Sequence, residues 1–281
     1  MPATIAVIAP GAMGSAVGAR LHAGGATVLT SLAGRSAESA SRAGAAGMEP
    51  ADDARIAGAD IVLSIVPPAE AVALAERLAP ALAQSPRKPI YVDCNAVDVR
   101  TVRRVEAAIL PAGARFADGG IIGGPPRPGE AGPTFYLSGE PAGELRVLAE
   151  LGLKTRMMDA PVGAASALKM SYAGINKGLT ALGAAMILAA TRAGAAEALH
   201  EELAASQPQL LARFARAMPD MYGKAYRWVA EMREIAAFVG EDHPEHAIFE
   251  GMAGLWEHIA ADEAGEKAET GAIDRFLAIS G

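Results

Sequence analysis

Ile5-Ala6-Val7-Ile8-Ala9-Pro10-Gly11-Ala12-Met13-Gly14-Ser15-Ala16-Val17-Gly18-Ala19 joins a short apolar strand to an Ala-rich helix through a glycine turn. Glycines at such a turn let the backbone approach a pyrophosphate, whose charge then lies against free N–H groups at the helix start. The turn reads AxGxxG, with Ala9 where the first glycine is usual. A strand before it and a helix after it predict a dinucleotide-binding half, with Pro10, Gly11, Ala12, Met13 and Gly14 against the phosphates.

The alternation continues downstream. Strands are expected at Ile5 to Ala9, Thr27 to Thr30, Ile61 to Val66 and Ile90 to Val92, with weaker candidates at Phe135 to Ser138 and Lys154 to Met158. Helices are expected over 15–23, 36–46, 69–83, 98–109 and 141–151. This order predicts an α/β fold, a Rossmann-type doubly wound parallel sheet. After Asp159-Ala160-Pro161 the strand signals cease, and an all-α domain broken near Pro208, Pro219 and Pro244 is expected. The domains are placed at 1–160 and 161–281. Gly174, Gly178 and Gly183 would each cost a helix interior roughly 1 kcal/mol relative to Ala, so a close helix or subunit neighbour is expected beside them.

An acid that selects NAD is expected about 20 residues after the glycine turn. None occurs before Glu38; the region reads Thr30-Ser31-Leu32-Ala33-Gly34-Arg35-Ser36. Ser31, Arg35 and Ser36 offer hydroxyls and a guanidinium suited to a 2'-phosphate, so NADP(H) is expected ahead of NAD(H), unless Arg35 is only a solvated loop charge. Ligands of open α/β sheets gather at the carboxyl ends of strands, which brings in Val66-Pro67-Pro68 and Asp93-Cys94-Asn95. Asn95 has two readings: partner of a nicotinamide carboxamide or substrate polar group, or cap of the next helix. Cys94 reads as a small core residue.

Asp118-Gly119-Gly120-Ile121-Ile122-Gly123-Gly124-Pro125-Pro126 is too rich in glycine and proline to read as a strand interior, and is expected to be a loop whose Gly123 and Gly124 amides receive a carboxylate or carbonyl oxygen. Further on, Lys169, Tyr172 and Asn176 share one helix face, with Ser166 a turn earlier. A lysine beside apolar surface has a lowered pKa and suits proton transfer to a substrate oxygen.

Turn, glycine segment and lysine helix together resemble the β-hydroxyacid dehydrogenase superfamily, which includes 3-hydroxyisobutyrate and 6-phosphogluconate dehydrogenases. Gly34-Arg35-Ser36, Asp93-Cys94-Asn95-Ala96, Ser166-Ala167-Leu168-Lys169-Met170 and Tyr226-Arg227-Trp228-Val229-Ala230-Glu231-Met232 are similar to a little-characterised branch with its own carboxyl-terminal helical domain. The resemblance implies an oxidoreductase acting on CH–OH groups, with Lys169 as general acid/base and Tyr172 or Asn176 in the place of an asparagine. It also implies substrate contacts at Asn95, Ile122, Gly123 and Gly124, and Arg227 and Trp228 near the substrate, from this chain or a partner in a homodimer, with core packing plus a surface ion pair as the other reading of Arg227 and Trp228. Ile122 stands where the superfamily carries a substrate-binding serine, which separates the redox chemistry from the choice of substrate. Imine reduction and oxidative decarboxylation are further activities of such a scaffold, and a non-catalytic NADP-sensing protein is the reading from another class.

Composition narrows the field. The 281 residues are 51% hydrophobic, enough to fill a core, and the formal net charge is −7. Basic residues are scattered among acids, so no nucleic-acid surface is expected. The single cysteine rules out an intramolecular disulfide and fits a cytoplasmic location. The apolar stretch from Gly178 to Ala190 is shorter than a bilayer span and is expected to be a buried helix. His243 and His246 flank Pro244 in a polar segment, and no metal is expected there.

Overall fold

The computed structural model of the chain describes residues 2–127 and 129–279. It divides into two compact units, Met1–Lys169 and Met170–Gly281. The first is built on one eight-stranded sheet: β1 (Thr4–Ile8), β2 (Thr27–Thr30), β3 (Met48–Pro50), β4 (Ile61–Ser64), β5 (Ile90–Asp93), β6 (Arg115–Ile122), β7 (Thr134–Ser138) and β8 (Lys154–Met157). Their spatial order is β3-β2-β1-β4-β5-β6-β7-β8. β1 to β6 are parallel, as the βαβ alternation predicts. β7 is antiparallel to β6, and the described residues of the link between them, 123–127 and 129–133, carry no crossover helix; β8 is parallel to β7.

Helices cover both faces, so the inner strands are apolar on each side. Ile5 and Val7 of β1 belong to one buried cluster, Ala6 and Ile8 to the other. The first unit carries α1 (Ala12–Ala23), α2 (Ala37–Ala45), α3 (Asp53–Ala57), α4 (Ala71–Gln84), α5 (Val99–Ile109), α6 (Val147–Glu150) and the start of α7 (Ala164–Arg192). β3 and α3 have no counterpart in the sequence reading: three strand residues ending in Pro50 and a five-residue helix are too short for a periodic signal. The helix expected over 141–151 is instead a tight 3₁₀ turn, Glu140–Arg146, followed by α6.

One correction bears on the site. Asp118 to Ile122 is not a loop: it is the second half of β6, paired with β7 from Asp118↔Ser138 to Ile122↔Thr134. Gly119 and Gly120 sit in a strand because neighbours leave no room for side chains. A Cβ on Gly119 would lie 2.8 Å from Cys94 Sγ, and one on Gly120 would lie 2.6 Å from the Ala165 carbonyl oxygen.

The second unit is helical: the rest of α7, then α8 (Ala196–Ser206), α9 (Pro208–Tyr222), α10 (Ala225–Val239), α11 (Glu245–Ala264) and α12 (Ala268–Leu277). Pro208 opens α9 and Pro244 immediately precedes α11, but Pro219 does not break a helix; it lies in the last turns of α9. The glycines of α7 meet close neighbours, as expected. A Cβ on Gly174 would be 3.3 Å from Ile235 and Phe249, and one on Gly183 would be 2.5 Å from the Phe214 ring. By length and composition alone α7 is long and apolar enough to cross a membrane. Part of its surface packs inward, at Ala181, Ala184, Ile187 and Leu188, so the expected buried helix is buried on one side only.

Candidate active site

The glycine turn assigns different tasks to its two glycines. A Cβ on Gly14 would collide with the Ala9 carbonyl oxygen at 1.9 Å, so Gly14 lets α1 close onto β1. A Cβ on Gly11 would meet nothing within 4 Å: it faces open space in front of the helix start. The first turn of α1, at Ala12, Met13 and Gly14, has no side-chain cap and no acidic residue, which leaves its N–H groups and the helix dipole available to an anion. The cradle fits a dinucleotide pyrophosphate. Arg42 brings a guanidinium to the same turn, its Nε donating to the Pro10 carbonyl at 3.4 Å.

Beside the turn lies a cavity of about 170 Å³, lined by Ile8, Ser31, Arg35, Val66, Glu70, Ala73, Leu74 and Arg77. It stands at the carboxyl ends of β1, β2 and β4, where a Rossmann sheet takes an adenosine. Ser31 and Arg35 are therefore brought together with Val66. Arg35 follows a turn closed by its own N–H on the Leu32 carbonyl, with Gly34 at φ 70°. Ser36 has another task, since its hydroxyl accepts from Ser39 N and caps α2. Pro67 and Pro68 shape the 3₁₀ turn that carries Glu70 into the cavity wall.

Asn95 is not the cap of the next helix. Its Oδ1 accepts from Val66 N at 2.7 Å, and its Nδ2 donates to Ser64 Oγ at 2.9 Å and to Asp93 Oδ1. The amide is fully engaged in tying the ends of β4 and β5 together, and α5 is capped by Asp98 instead.

The lysine is mounted with unusual care. Asp118, fully buried, accepts from Ser166 N at 2.9 Å, from Ser166 Oγ at 2.6 Å and from Ser138 Oγ at 3.3 Å. Ser138 Oγ in turn accepts from Ala165 N at 3.1 Å. These bonds satisfy N–H groups in the first turn of α7 that have no intrahelical acceptor, so side chains from β6 and β7 act as its N-terminal cap. One turn on, Lys169 is partly buried, its Cβ 3.5 Å from where a Gly120 Cβ would stand. Burial lowers its pKa, opposed by Cys94, Asp93 and Asp118. The Cys94 thiol is itself pushed up by burial and carries no charge at neutral pH, so the effective opposition comes from the carboxylates.

Asp93 is the second titratable group there. It lies beside Asp118 in the register of β5 and β6 and is almost wholly buried, and its Oδ2 has no hydrogen-bond partner. Burial pushes its carboxyl up to about 7; Asp118 adds to the rise, while Asn95 and Lys169 oppose it. Tyr91 shares its face and is raised further by burial and by Asp93, so the phenol stays protonated. Burial thus lowers Lys169 and raises Asp93, so the two groups titrate toward each other, a pattern on which acid–base chemistry can draw.

The remaining expected residues fall in both units. Ile122 ends β6, and Gly123 and Gly124 lie exposed just beyond it. In the second unit the Asn176 Nδ2 donates to the Tyr172 carbonyl at 2.8 Å and its Oδ1 accepts from Arg213 at 2.7 Å. Tyr172 is exposed on α7. Trp228 packs edge-on against Trp256, with the Lys177 ammonium over its ring, while Arg227 stays on the surface over Tyr226.

Comparison with known proteins gives the family and the fold. Residues 4–152 match the family described as the NAD binding domain of 6-phosphogluconate dehydrogenase. The chain belongs to that family. Residues 190–259 match a second family, described only as a domain of unknown function (DUF1932). Among solved structures, the conserved protein MTH1747, of unknown function but structurally similar to 3-hydroxyacid dehydrogenases, is 26% identical with a TM-score of 0.75, over 92% of this chain and 99% of that one. A conserved hypothetical protein from Sinorhizobium meliloti 1021 is 26% identical with a TM-score of 0.74, over 98% of this chain and 97% of its own. The 3-hydroxyisobutyrate dehydrogenase of Mycobacterium tuberculosis shares the fold at 19% identity and a TM-score of 0.68, over 98% and 99% of the two chains. A search of curated proteins finds no match.

In this 6-phosphogluconate dehydrogenase-type NAD-binding domain, the fold adds three candidate positions, Asp93, Asp118 and Glu70, to those expected from the sequence. Asp93 and Asp118 were legible as acids ending or interrupting apolar strands, where an ionised group is costly without a role. Glu70 lies far from the β2 end in sequence, and only the fold brings it there.

Proposed function

We propose that this chain is a nicotinamide-dinucleotide oxidoreductase that interconverts a small hydroxy compound, most simply a hydroxy acid, with its carbonyl partner, and that it uses NADP(H). The observation that carries this reading is the mounting of Lys169 near two buried carboxyl groups, one at the end of β5 and one within β6, in a domain of dinucleotide-binding type. When bound, the dinucleotide supplies the hydride acceptor or donor. Lys169 takes the hydroxyl proton as an alcohol is oxidised and returns it when a carbonyl is reduced. Burial keeps its amine accessible in the neutral form at lower pH than an exposed lysine allows. Asp118, Ser138 and Ser166 position the helix that carries it. Gly123 and Gly124 offer exposed backbone N–H groups to the substrate's anionic end, and Arg35 offers its guanidinium to the 2'-phosphate.

The test is Lys169→Met. Turnover in an NADPH-oxidation screen over aldehydes and keto acids should fall about 10²- to 10⁴-fold, while NADPH binding followed by fluorescence stays within a few-fold of wild type. Unchanged turnover on a confirmed substrate rejects the role.

The same reading includes a homodimer. Tyr172, Ile175, Leu179, Leu182 and Met186 recur on α7 at alternating spacings of three and four, and all are exposed, Ile175 to 65%. Such an apolar seam is costly in water and is the pattern by which helices pair.

A further inference from the structure

No acid stands at the end of β2 to accept from an adenosine ribose, yet the cavity there contains one. Glu70 arrives from the 3₁₀ turn after β4, and its Oε2 receives Arg35 Nη2 at 3.0 Å. Both side chains line the cavity, with Ser31 on the same wall. The cavity therefore pairs the two groups that distinguish the two dinucleotides: a carboxylate, which accepts from a ribose 2'-hydroxyl, and a guanidinium, which grips a 2'-phosphate.

We propose that Glu70 is the residue that sets cofactor preference, by competing with the 2'-phosphate for Arg35 and by accepting from the 2'-hydroxyl when that phosphate is absent. The inference rests on the dinucleotide reading above and deepens it. Two observations carry it. The ion pair is half-exposed, its side chains 30% and 47% accessible, so it is weak and exchanges partners readily. A phosphate brings up to two negative charges and a bidentate set of oxygens against the single charge of Glu70, so it displaces the carboxylate from Arg35; it must then tolerate Glu70 nearby. The site admits both dinucleotides, and Glu70 holds back its preference for NADP(H).

The probes are 2',5'-ADP and 5'-ADP by calorimetry, with NADPH and NADH by fluorescence, on the full chain; none requires turnover. Glu70→Gln should tighten 2',5'-ADP and NADPH and weaken NADH, moving the NADH/NADPH ratio of dissociation constants about tenfold toward NADPH. Arg35→Gln should weaken 2',5'-ADP and NADPH about tenfold or more and leave 5'-ADP nearly unchanged. Both residues are at the surface, so folding is not at stake. If Glu70→Gln shifts all four ligands alike or not at all, the inference fails while the dinucleotide reading stands. If wild type binds none of the four, both fail.

Discussion

Asp118 and Ser166 are joined twice, by Ser166 N to Oδ2 and Ser166 Oγ to Oδ1, so one carboxylate in β6 holds the first turn of α7 by both its oxygens. Asp118→Asn keeps one acceptor but turns an amide N–H₂ toward a donor, leaving buried N–H groups opposed. The expected loss is about 2–4 kcal/mol in denaturant unfolding, with turnover falling more than dinucleotide affinity, because Lys169 follows three residues later. Ser166→Ala should cost less, about 1 kcal/mol. Equal losses in the two variants would contradict the cap.

Asp93 predicts a pH dependence. Its carboxyl is raised in the folded state, from 3.8 to about 7, so between those values the folded chain holds a proton that the unfolded chain has released. Stability from this group is complete below the ordinary carboxyl value and is lost as pH rises toward 7, by at most about 1.4 kcal/mol per pH unit. Asp93→Asn does not titrate. The difference in unfolding free energy between variant and wild type should therefore change across that interval in the variant's favour and level off above it. A flat difference from pH 4 to 7 would show that Asp93 ionises normally.

Gly120→Ala places a methyl group 2.6 Å from the Ala165 carbonyl oxygen, which is backbone and can yield only by moving α7. Thermal unfolding should reveal a loss of about 1–3 kcal/mol, with reduced turnover. Gly124→Ala is the control: its Cβ would meet nothing within 4 Å, so unfolding should be unchanged.

The exposed seam on α7 predicts association. Leu182 is 54% exposed, so Leu182→Glu should leave the fold intact. Sedimentation of wild type should give twice the chain mass, and the variant should move toward monomer. A monomeric wild type at micromolar concentration removes the dimer.

The turn from Ala9 to Gly14 was legible because everything it needs is local: strand, glycines and helix start follow one another in the chain. β6 was not. Its glycines signal a loop by composition, but they stand in a strand because Ala165 and Cys94 crowd them from elsewhere. The cap reading of Asn95 failed in a similar way. Its donors and acceptors were plain, while the groups that occupy them, Val66 N and Ser64 Oγ, lie about thirty residues away. The absence of an acid after β2 was read correctly, yet Glu70 reaches the same cavity from another strand end. Lys169 was found by resemblance; its lowered proton affinity follows from burial, against the opposing pull of Asp93 and Asp118, and spacing alone shows neither.

β6 divides into two stretches with different freedom to vary. Through Gly120 the strand is committed to seating α7, and a larger side chain there unseats the lysine. From Ile122 to Gly124 the chain leaves that seat and emerges into solvent. On the function proposed above, a new substrate preference can be selected at those outer three residues without disturbing Lys169, so acceptor range and catalytic competence are separable traits along one segment.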